Sequence, residues 1–221
     1  MNFKYYKTES LIIFIVALYF PCSFLSDWLE PLFKKWTMVD SIVKMSHSFS
    51  TLTFMSIGFV FVNEIGWRLK IFNVKIFKWL VDLPNLNGRY KGRLISTYED
   101  PETGKPVSKE CVIEIRQNAS KIHLCSYFSD DDGKSPSSSS KSVLEQFVRE
   151  KSGFFKLYYI YENDTRFSEG EVRNHTGTSY FLYYPDIKTL QGDYYNQRLN
   201  KGEFSVEFQQ SNRLGRFKEK I

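Results

Sequence analysis

Two stretches without a single charge open the chain, and an alternation of period two fills the rest. Residues 10–26 (SLIIFIVALYFPCSFLS) lie between Glu9 and Asp27; residues 45–63 (MSHSFSTLTFMSIGFVFVN) lie between Lys44 and Glu64. An apolar helix of about 18 or more residues, rising about 1.5 Å per residue, crosses a hydrocarbon core roughly 30 Å thick. Both runs are near that length, and their short separation predicts a transmembrane helical hairpin over residues 1–69. Pro21 is expected to kink or shorten the first helix, because proline lacks the N–H that an internal turn needs. Lys4 and Lys7 precede the first run, but no small-x-small cleavage site follows it, so an uncleaved helix is expected rather than a signal peptide. Trp28 and Trp36 suit the interfacial level of the connection.

Residues 70–83 (KIFNVKIFKWLVDL) place Phe72, Ile76, Trp79, Leu80 and Leu83 at helical spacing, with Lys75, Lys78 and Asp82 opposite. This predicts an amphipathic linker over 70–87 that lies on the membrane surface or packs on a soluble domain. From Gly88 the period changes to two. Candidate strands cover 88–98, 107–117, 121–129, 142–150, 154–162, 178–184, 192–197 and 203–209, parted by turn residues such as Asp100-Pro101, Glu162-Asn163-Asp164 and Asn200-Lys201-Gly202. The fold class is thus an N-terminal α-helical hairpin plus an all-β domain over 88–221. Short, even spacing favours an antiparallel up-and-down, lipocalin-like barrel of about eight strands, with a two-sheet sandwich as the alternative. Asp130–Gly133, Pro136 and Ser137–Ser140 read as a solvated loop tip; three consecutive Asp lack the ligand spacing of a metal site.

Charge narrows the partners. Residues 1–87 hold 9 Lys/Arg and 6 Asp/Glu (+3); residues 88–221 hold 21 and 19 (+2), which sum to the chain's +5. A domain this balanced is not expected to bind DNA or RNA polymers. A small anion gripped by one or two arginines needs no basic surface. Six Lys/Arg flank the outer ends of the hairpin (Lys4, Lys7, Arg68, Lys70, Lys75, Lys78) against three in its connection (Lys34, Lys35, Lys44), which predicts both termini in the cytoplasm. Cys22, Cys111 and Cys125 have no zinc or redox spacing and read as reduced, buried thiols. Ser46, Ser50 and Thr53, with His47 beside them, put small and hydroxyl residues on one face of the second helix. That face suits self-association or packing against the first helix.

No catalytic assembly is legible: His47, His123 and His175 are the only histidines, and there is no P-loop, G-x-S-x-G or H-E-x-x-H. Catalytic and metal residues are therefore expected to be none, and binding is the default. Alternation puts Tyr90, Gly92, Leu94, Ser96 and Tyr98 on an inner face, with Arg89, Lys91 and Arg93 on a solvated one. In 192–198, Tyr194, Asn196 and Arg198 share a face. Arg198 either stacks on Tyr90 to plug a closed end or grips a phosphate while a tyrosine stacks on a base. His175, Thr178 and Tyr180 add hydroxyl and imidazole groups. The candidate ligand site is Tyr90, Tyr98, His175, Thr178, Tyr180, Tyr194, Asn196 and Arg198.

Two apolar helices before a small barrel, with Leu86-Asn87-Gly88-Arg89-Tyr90-Lys91-Gly92, His175-Thr176-Gly177-Thr178 and Gly192-Asp193-Tyr194-Tyr195-Asn196-Gln197-Arg198, resemble the two-helix β-barrel effectors of cyclic-oligonucleotide antiphage systems (CBASS). The resemblance implies a bacterial inner-membrane, multi-pass protein whose barrel senses a cyclic dinucleotide made by a partner CD-NTase. It implies no cofactor beyond that activating ligand. Binding would drive homo-oligomerisation of the hairpins among membrane lipids and disrupt the membrane. A membrane-anchored carrier of a hydrophobic ligand, a membrane-bound enzyme and a protein-binding scaffold remain as alternatives.

Overall fold

The computed structural model describes residues 3–34, 40–72, 74–101, 103–129, 136–165 and 175–218. The chain divides into two compact units: Met1–Leu83 with Asn118–Lys121, and Pro84–Gln117 with Ile122–Ile221.

In the first unit, α1 spans Thr8–Lys34 and α2 spans Asp40–Glu64. Helix α1 runs on through Pro21 and Pro31 rather than stopping near the first, so it is longer than expected. Among the described residues one helix, over Thr8–Pro31, is long and apolar enough to cross a membrane by length and composition. The two helices pack through a small polar seam. Ser26 Oγ accepts from Ser50 Oγ and from Thr51 Oγ1, both at 2.9 Å. Ser50 therefore serves intrachain packing, one of its two expected roles. The side chains of Ser46 and His47, and the residue Trp36, fall outside the described residues. On the other faces Ile13, Phe20, Phe24 and Trp28 of α1 and Leu52, Ile57 and Val60 of α2 stand exposed. A water-soluble helix pair rarely leaves so continuous an apolar surface bare.

The helix expected over 70–83 does not form. Residues Lys70–Ile71 (β1) and Val74–Lys75 (β2) pair antiparallel, with Ile71 opposite Val74 and Phe72 in the left-handed region at φ 48°. The β-branched Ile71 and Val74 suit such a short strand pair. One turn then closes from Phe77, whose carbonyl accepts from Leu80 and Val81 at 3.0 and 2.8 Å.

The second unit is a closed antiparallel barrel of eight strands: β3 (Gly88–Glu99), β4 (Pro106–Gln117), β5 (Ile122–Ser129), β6 (Pro136–Arg149), β7 (Phe155–Thr165), β8 (His175–Tyr184), β9 (Thr189–Asn196) and β10 (Lys201–Gln210). Each strand pairs with its sequence neighbours and β10 closes on β3, as the up-and-down reading expects and a sandwich does not. Closure forces the strands to bend hard against one another. At Gly92 a Cβ would sit 2.0 Å from the Ser205 carbonyl oxygen, so only glycine fits.

Two local expectations change. Ser138–Ser140 lie in β6, not in a loop tip, and pair with β5 and β7. A bulge between Ser142 and Leu144 leaves Val143 and Leu144 both exposed and returns Phe147 to the interior. The Asp130–Gly133 segment lies outside the described residues. Arg89, expected in solvent, is fully buried. The chain after β10 folds back over the outer face of β3 and β4. There Arg89 Nη1 meets Glu114 Oε1 at 2.7 Å and the Arg216 carbonyl at 2.7 Å, Nη2 meets the Phe217 carbonyl, and Nε meets Gln209 Oε1 at 3.0 Å. Glu114 also accepts from the backbone N–H groups of Leu214 and Gly215. Arg89 keeps the outward phase of β3, and the covering tail converts that outward position into a buried one.

Candidate functional site

One end of the barrel is packed shut. Ile113, Ile115, Leu124, Leu157 and Leu190 project inward there and are buried. Tyr90 joins them, 1% exposed, edge-on to Phe208 at 5.5 Å. The other end is a half-open cavity of about 170 Å³.

The same strands build both ends. Along β4 the inward phase passes from Ile115, Ile113 and Cys111 to Lys109 and Val107; along β3 it passes from Tyr90 through Leu94 to Ser96 and Tyr98; along β5 it passes from Leu124 to Ser126 and Phe128. The register sets Ser126 opposite Ser140, Ser140 opposite Asn163 and Asn163 opposite His175, so hydroxyl, amide and imidazole groups form a lateral ladder across β5 to β8. Facing residues are aromatic. Phe204 lies 5.4 Å from Tyr194 and 5.7 Å from Phe181, and Phe181 stacks on Tyr159 at 5.5 Å. Tyr194 crosses the backbone of Gly202, where a Cβ would come within 2.6 Å of its ring, and donates a 2.8 Å hydrogen bond to Ser96 Oγ. Its plane is therefore held from both sides.

Burial pushes the phenols of Tyr159, Tyr161 and Tyr194 above the ordinary tyrosine value. They remain neutral hydrogen-bonding groups at physiological pH. Lys109 and Arg198 supply positive charge, and among the described residues that line the cavity there is no carboxylate. Asn196 Oδ1 accepts from the backbone N–H groups of Arg198 (3.0 Å) and Asn200 (3.2 Å), closing the β9–β10 turn in which Leu199 sits at φ 62°. Asn196 thereby positions the turn that carries Arg198.

Of the residues singled out by sequence, Tyr98, His175, Tyr194, Asn196 and Arg198 come together around this cavity. Tyr90 lies in the packed end and Arg198 lines the open one, so the stack of Arg198 on Tyr90 is not formed. Thr178 and Tyr180 are on the outer wall, because Gly177, Ser179 and Phe181 take the inward phase of β8. Tyr180 Oη donates to Asp193 Oδ2, a bond that pushes its phenol up to about 12, and Lys156 Nζ sits 3.8 Å over its ring. The sequence cluster joined consecutive residues where a strand presents alternate ones. Lys109, Tyr161, Asn163, Ser126, Ser138 and Ser140 were missed. Lys109 is in phase with Cys111, Ile113 and Ile115, and Asn163 with Tyr159 and Tyr161, so alternation could have found both.

Residues 81–207 match the family described as Cap15, cyclic dinucleotide receptor domain. CD-NTase-associated protein 15 of Yersinia aleksiciae is 26% identical over 149 residues, which cover 66% of this chain and 65% of that protein. The chain thus spans just under two thirds of the length of that curated relative. With more than half of its residues inside the family match, the chain belongs to the Cap15 cyclic dinucleotide receptor domain family.

Proposed function

We propose that the barrel is the sensor of a CBASS antiphage effector, binding a cyclic dinucleotide at its open end. The observation that carries this reading is the cavity's charge and shape. Two cations, Lys109 and Arg198, stand beside ring-bearing side chains in a pocket whose described lining has no carboxylate. A cyclic dinucleotide offers two phosphates for charge-assisted hydrogen bonds and flat bases for stacking. Each stacked base contributes roughly 1–3 kcal/mol, and each hydrogen bond to a charged group about 1.5–3 kcal/mol. The family description and the relative's name support the same ligand class and a CD-NTase as its source. A carrier of purely hydrophobic ligands would gain nothing from two lining cations.

The helical unit completes the proposal. In this reading α1 and α2 lie in the bacterial inner membrane as a two-span hairpin with both termini cytoplasmic, and their exposed apolar faces support it. Ligand binding favours an assembled state of several copies, and assembly disrupts the bilayer. Linkage imposes one condition: the ligand must bind the assembled state more tightly than the resting one. The barrel acts by binding, without turnover.

Calorimetric titration of the detergent-solubilised full chain with a panel of cyclic dinucleotides tests the receptor role. Saturable binding by at least one of them, weakened by Arg198→Ala in a folded protein, is expected. Binding by none, or wild-type affinity in folded Arg198→Ala, contradicts it. Leakage of dye from proteoliposomes on adding the bound ligand tests the membrane step; tight vesicles under saturating ligand would remove it.

A further inference from the structure

The enclosed space of the half-open cavity is smaller than the whole of its proposed ligand. We infer that, given the receptor role above, one nucleobase enters the barrel and is read there while the second stays outside and is read little. The cavity measures about 170 Å³. A protein cavity of about 150 Å³ takes one benzene-sized ring. A cyclic dinucleotide carries two bases, two riboses and two phosphates, so a single base fills the available space.

The walls are unequal in a way that suits one flat ring. Tyr194 and Phe204, 5.4 Å apart, form the aromatic side, and the bond from Tyr194 to Ser96 keeps that side from collapsing into the space. Across from it, Ser126, Ser140 and Asn163 lie side by side on three adjacent strands. All three are buried. Hydroxyls donate and accept, and an amide offers both functions in a fixed order, so this ladder matches the edge of one base and leaves a mismatched edge unpaired. Arg198 is exposed on the β9–β10 turn, where its guanidinium meets phosphate rather than base.

Affinity should therefore depend on the presence of one particular base, not on the pair. The test measures Kd for the detergent-solubilised full chain against 3′,3′-linked cyclic dinucleotides in all pairings of adenine, guanine, cytosine and uracil. The expected result is two classes. Every ligand that contains the preferred base binds within about threefold of the others that contain it, whatever its second base. The ligand with two copies gains about twofold, because either copy can enter. Ligands that lack the base bind roughly tenfold or more weakly, the cost of leaving buried polar groups unpaired. Ser140→Val is expected to shrink the gap between the classes; an unchanged gap in the folded variant overturns the assignment of the reading edge. One heterodinucleotide preferred about tenfold over both related homodinucleotides shows that both bases are read and overturns the inference alone. Equal affinity across the set also overturns it. Failure of every ligand to bind instead contradicts the receptor role on which it rests.

Discussion

The barrel's two ends are made by the same eight strands and do opposite things. At the packed end the inward side chains are branched and aromatic, with Leu157, Leu190 and Phe181 almost wholly removed from water. At the open end the same inward phase delivers Ser96, Lys109, Ser126, Ser140 and Asn163. Closure of the sheet satisfies the backbone throughout, so the interior need not be apolar along its whole length. A few layers of close-packed side chains stabilise the barrel, and the remaining layers can carry polar side chains around a cavity. Substitutions at the packed end should therefore change folding, and those at the open end should change binding.

The largest effect is expected just outside the packed end. Arg89→Met leaves Glu114 buried without its cation and removes the donor to the carbonyls of Arg216 and Phe217. Losing one partner of a buried pair typically costs about 3–5 kcal/mol, measurable by urea unfolding, and the tail should become cleavable by trypsin at Arg213 or Arg216. A stability change within about 0.5 kcal/mol of wild type would mean that the clasp is dispensable. Next, Leu157→Ala removes a buried side chain from the packed end and is expected to cost about 2–5 kcal/mol, with the ligand affinity of the folded protein unchanged. A comparable loss of affinity would mean that the two ends are not separable.

Alkali tests the tyrosine-lined region where the ends meet. Burial raises the folded-state values of Tyr159, Tyr161 and Tyr194 above the unfolded value of about 10. The folded protein therefore holds these protons more tightly, and the resulting stability is fully present below pH about 10 and is lost as pH rises through the raised values. Unfolding midpoints measured from pH 8 upward should be level and then fall, with the onset near pH 10. A midpoint that rises across that range contradicts the assigned burial. Smallest of all is Thr178→Val on the outer wall: ligand affinity within about twofold of wild type is expected, since the side chain points away from the cavity. A tenfold loss would move the site to the outside.

What was legible in the sequence follows the same division. All eight barrel strands were readable, because turn residues and period-two patterning are local signals. The inward placement of Ser96 and Tyr98 and the shared face of Tyr194 and Asn196 came from the same alternation. Three kinds of information were not local. In Ser138–Ser140 every position is serine, so a strand has no visible phase and reads as a loop. Arg89 is buried by residues more than 120 positions away, which no alternation can reveal. Phe72 takes a left-handed conformation that turns a helical pattern at 70–83 into a hairpin, and hydrophobic spacing alone does not distinguish the two. Thr178 and Tyr180 fall outside the cavity for a simpler reason: which phase of β8 faces inward is set by pairing with β7 and β9.

The most direct test of the central claim is a calorimetric comparison of the full chain with its Lys109→Ala, Arg198→Ala double variant. Each is titrated with the cyclic dinucleotide that binds wild type most tightly. Loss of both cations is expected to weaken binding by roughly a hundredfold or more, with the unfolding midpoint of the barrel little changed. Equal affinity in the folded double variant would contradict a phosphate-gripping open end and, with it, this account of what the barrel does.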